Sequence, residues 1–65
     1  MSIEIDDNKV IINDLLNTRA VVMFSLWDEY NIVNVSNNYY DFDLDKKELA
    51  QLIAALQAMH DKMEE

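Results

Sequence analysis

The sequence contains no cysteine, no glycine and no proline. Without cysteine there is neither a disulfide nor a thiolate metal site. Without glycine there is no loop of the kind that lets backbone amides close around a phosphate. Tight turns must then use asparagine or aspartate, the next-best residues for positive φ. The pairs Asp7-Asn8 and Asn37-Asn38 stand out for that reason. Basic residues are scarce too: five Lys and Arg stand against thirteen Asp and Glu, for a formal net charge of −8. That imbalance argues against nucleic acid or an anionic membrane as a direct partner, and leaves basic protein surfaces and cations. The single histidine, His60, cannot build a multi-histidine site. The longest unbroken apolar run, residues 20–24, is far too short for a membrane span. The first seven residues have no basic stretch and no long apolar core, so no signal peptide is expected and a cytoplasmic protein is the default.

What is present points to a folded chain. Hydrophobic residues make up 51% of the 65 residues, too many for a disordered tail. A chain of this length hides only about 60% of the surface its unfolded form exposes, so its stability is thin. One small domain spanning residues 1–65 is expected, with completion by a second chain an open possibility.

Ile3-Glu4-Ile5-Asp6 alternates with the period of a half-buried strand. A two-residue loop at Asp7-Asn8 pairs it with Lys9-Val10-Ile11-Ile12, placing Ile5 opposite Val10 and Ile3 opposite Ile12. Residues 20–27 are β-branched and aromatic, and residues 31–36 form the next strand. An even loop of two or four residues between them puts Val22, Phe24 and Leu26 on one face with Val33 and Val35. A turn centred on Asn37-Asn38 leads into residues 39–44, with Val35 opposite Tyr40, Val33 opposite Phe42 and Asn34 opposite Asp41. Residues 13–19 stay unassigned. Residues 46–63 read as a helix, capped by Asp45 with Glu48 three positions on, and with Leu44 and Leu49 as a hydrophobic staple. Its apolar stripe is Leu49, Leu52, Ile53, Leu56, Met59 and Met63. The expected fold is α+β: an antiparallel β-meander of four to five strands (roughly 2–6, 9–13, 20–27, 31–36 and 39–44), packed on one face by the C-terminal helix.

Few residues invite chemistry. Asp41, Asp43 and Asp45 have the alternate spacing that opens a calcium loop, but Lys46 stands where glycine is needed and Leu52 where the bidentate glutamate belongs. Two strand carboxylates and a helix cap explain them better. His60 sits near the helix C-terminus, where imidazolium is mildly favoured, and no nucleophile is placed beside it by sequence. No catalytic, metal or cofactor site is expected.

The second sheet face is more apolar than a solvated face usually is. It should display Val21, Met23, Trp27, Tyr30, Ile32 and Tyr39 among Asn34, Asp41 and Asp43. Either residues 13–19, with Leu15 and Leu16, cover it, or it is an interface. The acids concentrate in residues 1–45, which hold nine of them with two bases. The sequence therefore reads best as a non-enzymatic, protein-binding module that covers a basic surface of a nucleic-acid-processing protein. A phage-type antagonist of host defence, such as an anti-CRISPR protein, is the concrete version. The residues expected to bind are Trp27, Asp28, Glu29, Tyr30, Asp41 and Asp43. Asp28 and Glu29 belong to a hairpin tip, a frequent place for binding residues. The alternative is a structural or regulatory homodimer built on an apolar sheet face or on the helix, whose Leu49, Leu52, Leu56, Met59 and Met63 follow a heptad-like spacing.

Overall fold

The structure is a computed structural model and describes residues 1–14 and 21–64. Strands β1 (Ser2–Asp6), β2 (Lys9–Asn13), β3 (Val21–Trp27), β4 (Ile32–Ser36) and β5 (Asp41–Asp45) form one antiparallel sheet in chain order, followed by helix α1 (Lys46–Lys62). The meander and the C-terminal helix packed on it are the α+β arrangement expected above. The question of whether residues 13–19 cover the second sheet face falls mostly on residues 15–20, outside the described residues.

Register follows from side-chain parity. Ile5, Val10, Phe24, Val35 and Phe42 lie opposite one another in a single apolar row across all five strands. Ile3, Ile12 and Val22 form the row on one side, and Leu26, Val33 and Leu44 the row on the other. A one-residue slip would turn these side chains to the polar face, so burial fixes the pairing modulo two. Turn chemistry decides the rest. At the first hairpin Ile5 pairs with Val10 and Asp6 with Lys9, as read from sequence.

At the β4–β5 turn the outcome differs: Val35 lies opposite Phe42, Val33 opposite Leu44 and Asn34 opposite Asp43, a shift of two from the expected register. The cause is Asn37. Its Oδ1 accepts from the backbone N–H groups of Tyr39 and Tyr40 at 2.7 and 3.0 Å, and its own N–H donates to the Tyr40 carbonyl at 2.9 Å. The turn therefore closes around Asn38 and Tyr39, one position later than Asn37-Asn38. Positive φ is also placed differently. Among the described residues it occurs at Asp14 and Asn31, and neither Asp7-Asn8 nor Asn37-Asn38 uses it. The first tip is held by other means: Asp6 Oδ1 accepts from the Asp7 N–H at 2.8 Å, and the Asn8 carbonyl accepts from the Leu26 N–H at 2.7 Å.

The helix starts as its cap dictates. The Glu48 N–H donates to Asp45 Oδ1 at 2.8 Å, and Glu48 Oε1 accepts from the Asp45 N–H at 3.0 Å. Removing this reciprocal cap with Asp45→Ala should cost about 1 kcal/mol of stability, measurable as a lower urea midpoint with an unchanged slope. Leu44 and Leu49 line the same small cavity between the end of the sheet and the first helical turn.

Packing beyond that turn is slight. Leu49 and Leu52 are half-buried, whereas Ile53, Leu56, Met59 and Met63 are exposed, and no helix residue is fully buried. The whole molecule measures 40 × 26 × 23 Å. The 17-residue helix is about 25 Å long, and the exposure of Ile53, Leu56, Met59 and Met63 shows that its apolar stripe is covered only over the first turns. The core is correspondingly small. Val35, 4% exposed, is the one buried hydrophobic residue among those described. Among the described residues nothing pairs with either sheet edge, and each edge alternates acids with apolar residues: Glu4 and Asp6 on β1, and Asp41, Asp43 and Asp45 on β5.

Candidate functional site

Two surfaces of opposite character arise from the strand alternation. The face away from the apolar rows carries Glu4, Ile11, Met23, Ser36 and Asp41 in one line across the sheet, and Asp6, Lys9, Ser25, Asn34 and Asp43 in the next. Its carboxylates therefore stand at the two margins. Four strand intervals of about 4.8 Å separate β1 from β5, so the acidic margins are about 19 Å apart. Between them lies a mostly uncharged strip that includes half-buried Ile11, Met23 and Ile32.

Asn34 organises the β5 margin. It is 7% exposed on a central strand, between Val33 and Val35. Its Nδ2 donates to Asp43 Oδ1 at 2.9 Å and to Asp41 Oδ1 at 2.5 Å. One amide thus spends both protons holding two carboxylates in place, and its burial is satisfied in return.

The other expected binding residues lie at a hairpin tip. Trp27 ends β3 opposite Ile32, and residues 28–31 form a four-residue turn. The Tyr30 N–H donates to the Trp27 carbonyl at 3.1 Å, and the Asn31 N–H to the Asp28 carbonyl at 3.3 Å. Asn31, at φ 53°, supplies the left-handed residue that closes the turn. Asn8 Nδ2 reaches Asp28 Oδ2 at 3.5 Å, a long contact between neighbouring tips. Tyr30 is 71% exposed. The structure thus unites Trp27, Asp28, Glu29 and Tyr30 at one tip and joins Asp41 to Asp43 through Asn34. The groups are offset: Trp27 lies two strands and one row from Asp43, roughly 12 Å by strand spacing. Tyr39 is on neither, being fully exposed in the turn at the opposite end of the sheet.

Comparison with protein-family models, curated proteins and solved structures finds no match. The chemistry of this chain is therefore read from its own residues. Among the described residues, no group of three or more His, Cys, Asp and Glu side chains is placed to hold a metal ion. His60 Nδ1 lies 3.2 Å from Asp61 Oδ1 on an exposed stretch of helix, and Gln57 Nε2 donates to the same oxygen at 2.9 Å. These are surface contacts along one helix.

The opposite side is apolar and open. A groove of about 340 Å³ lies between Leu49 and the sheet, lined by residues 7–9, Val10, Phe24, Leu26 and Val33. Ile3, Ile5, Leu26, Tyr40 and Phe42 leave much of their surface exposed on this side. Tyr40 and Phe42 form a tilted ring pair with centroids 5.6 Å apart. Sequence periodicity placed the helix stripe on this sheet face, and Leu49 does meet it. The exposure of Ile53 through Met63 is the feature that periodicity missed, because a stripe states which side faces inward and is silent on how far the partner surface extends.

Proposed function

We propose that this chain is a non-enzymatic protein-binding module whose acidic sheet face covers a basic surface on a nucleic-acid-processing protein. The observation that carries the reading is the pair of carboxylates, Asp41 and Asp43, held on one edge strand by the buried amide of Asn34. Along such a strand, acids two residues apart recur at about 6.8 Å. A regular line of like charges is what a phosphate-binding surface meets on a nucleic-acid backbone. Glu4 and Asp6 repeat the line on the far margin. Fixing the carboxylates before encounter reduces the ordering cost of binding, and a net charge of −8 speeds approach to a basic target. Trp27 gives the same face an aromatic anchor of the type enriched at interfaces, and exposed Tyr30 stands beside it at the hairpin tip. Inhibition by occupation of a nucleic-acid groove, as in a phage-encoded antagonist of host defence, is the concrete form of this function.

The test starts with the tagged protein and a bacterial lysate at low and at high salt. A nucleic-acid-binding protein retained at low salt, released at high salt and displaced by duplex DNA is the expected capture. Against that partner, Asp41→Lys combined with Asp43→Lys should weaken binding on the order of 10-fold, chiefly through slower association. Unchanged affinity and unchanged salt dependence in the double variant would remove this face from the mechanism.

A further inference from the structure

We propose that the apolar side of the molecule is a homodimer interface, in which the projecting half of each helix lies over the open sheet face of a second copy. This surface is separate from the acidic face. At roughly 180 Å² for a large apolar residue, the exposed sheet residues together with Ile53, Leu56, Met59 and Met63 leave roughly 900 Å² uncovered. The largest apolar patch on an ordinary monomer is about 300–600 Å², whereas a stable interface takes about 800 Å² from each partner. Leu56 and Met59, at 54% and 63% exposed, belong to this uncovered surface.

Shape and charge identify the occupant as a second copy. A twofold interface requires each chain to supply both halves of the fit. This chain has both: a ridge of apolar side chains on the second half of α1, and the 340 Å³ groove between Leu49 and the sheet. Two chains of charge −8 repel one another at a distance. The strand carboxylates Glu4, Asp6, Asp41 and Asp43 all belong to the other sheet face, however, so pairing through the apolar side leaves them pointing outward. The pairing also supplies what a single chain lacks, since one copy buries only Val35 among its described hydrophobic residues. A dimer of this kind presents two acidic faces on opposite sides.

Sedimentation equilibrium of the intact chain over a wide concentration range tests the proposal. The expected mass is twice 7.6 kDa, with a melting temperature that rises with concentration. Leu56→Glu combined with Met59→Glu alters only exposed helix positions. It should weaken association at least ~100-fold, because four charges would then enter the apolar interface of the dimer. Trp27→Glu, on the opposite face, should leave the mass unchanged. A monomer at every concentration overturns the proposal. So does a dimer that survives the helix substitutions, or one that dissociates only on Trp27→Glu. A monomeric parent overturns the proposal whether or not a variant folds, and for a dimeric parent the single change Met59→Glu, at a position 63% exposed, reads the same interface if the double variant fails to fold.

Discussion

Val35→Asp should abolish the cooperative unfolding transition. Val35 is 4% exposed at the crossing point of the five-strand row and lies between Phe24 and Phe42 on the neighbouring strands. A carboxylate there has apolar neighbours on both sides and no partner, at a cost of several kcal/mol. A chain of this size has only about 3–10 kcal/mol to lose. Val35→Ala makes the milder comparison. It removes two methyl groups, should cost about 2 kcal/mol, and should leave a sharp transition at lower temperature. Thermal melts followed by circular dichroism separate the two variants. A Val35→Asp protein melting within a few degrees of the parent would mean that the core lies elsewhere.

Asn34→Asp is the second large effect, and it carries a pH signature. The substitution replaces the amide that donates to Asp41 and Asp43 with a third carboxyl group at a nearly buried position. Burial and two neighbouring carboxylates favour the protonated form of the introduced group in the folded state. Its folded-state pKa therefore lies above its unfolded-state value, and the folded protein binds more protons across the interval between them. Stability relative to the parent must then fall as pH rises through that interval, and the difference must narrow on the acid side, where the protonated carboxyl supplies one donor in place of two. At neutral pH the loss should be about 3 kcal/mol. Asn34→Ala removes the same donors without adding charge, so its smaller loss should not depend on the titration of a new group. Urea midpoints for both variants across a pH series make the comparison. A flat Asn34→Asp difference would show that position 34 is neither buried nor beside the two carboxylates.

The sequence was most readable where several local signals agreed. In the first hairpin, alternation and loop length both select Ile5 opposite Val10, and that pairing is observed. Asp45 and Glu48 announce the helix start, and both halves of the capping box form. The β4–β5 register was off by two because apolar parity is unchanged by a two-residue shift. Only the hydrogen bonds of the Asn37 side chain distinguish the alternatives. Asp41 and Asp43 were legible as acids on one face. The amide joining them was less so, although an asparagine between Val33 and Val35 on a central strand already raises the question of its partners. The exposed half of the helix was the least legible feature, since it depends on where the sheet ends.

The open edges of the sheet bear on how large any assembly of this chain grows. Lateral addition of strands is the route to fibrils, and it needs an edge whose backbone groups accept another molecule. Here an incoming edge must bring Glu4 and Asp6, or the three aspartates of β5, against carboxylates of its neighbour. Growth in the plane of the sheet is therefore opposed at both ends. Face-to-face pairing, by contrast, consumes the adhesive side in a single event. A dimer formed in that way would leave polymerisation no remaining direction, and a chain with such a small core and so much exposed apolar surface would stay a discrete particle when abundant.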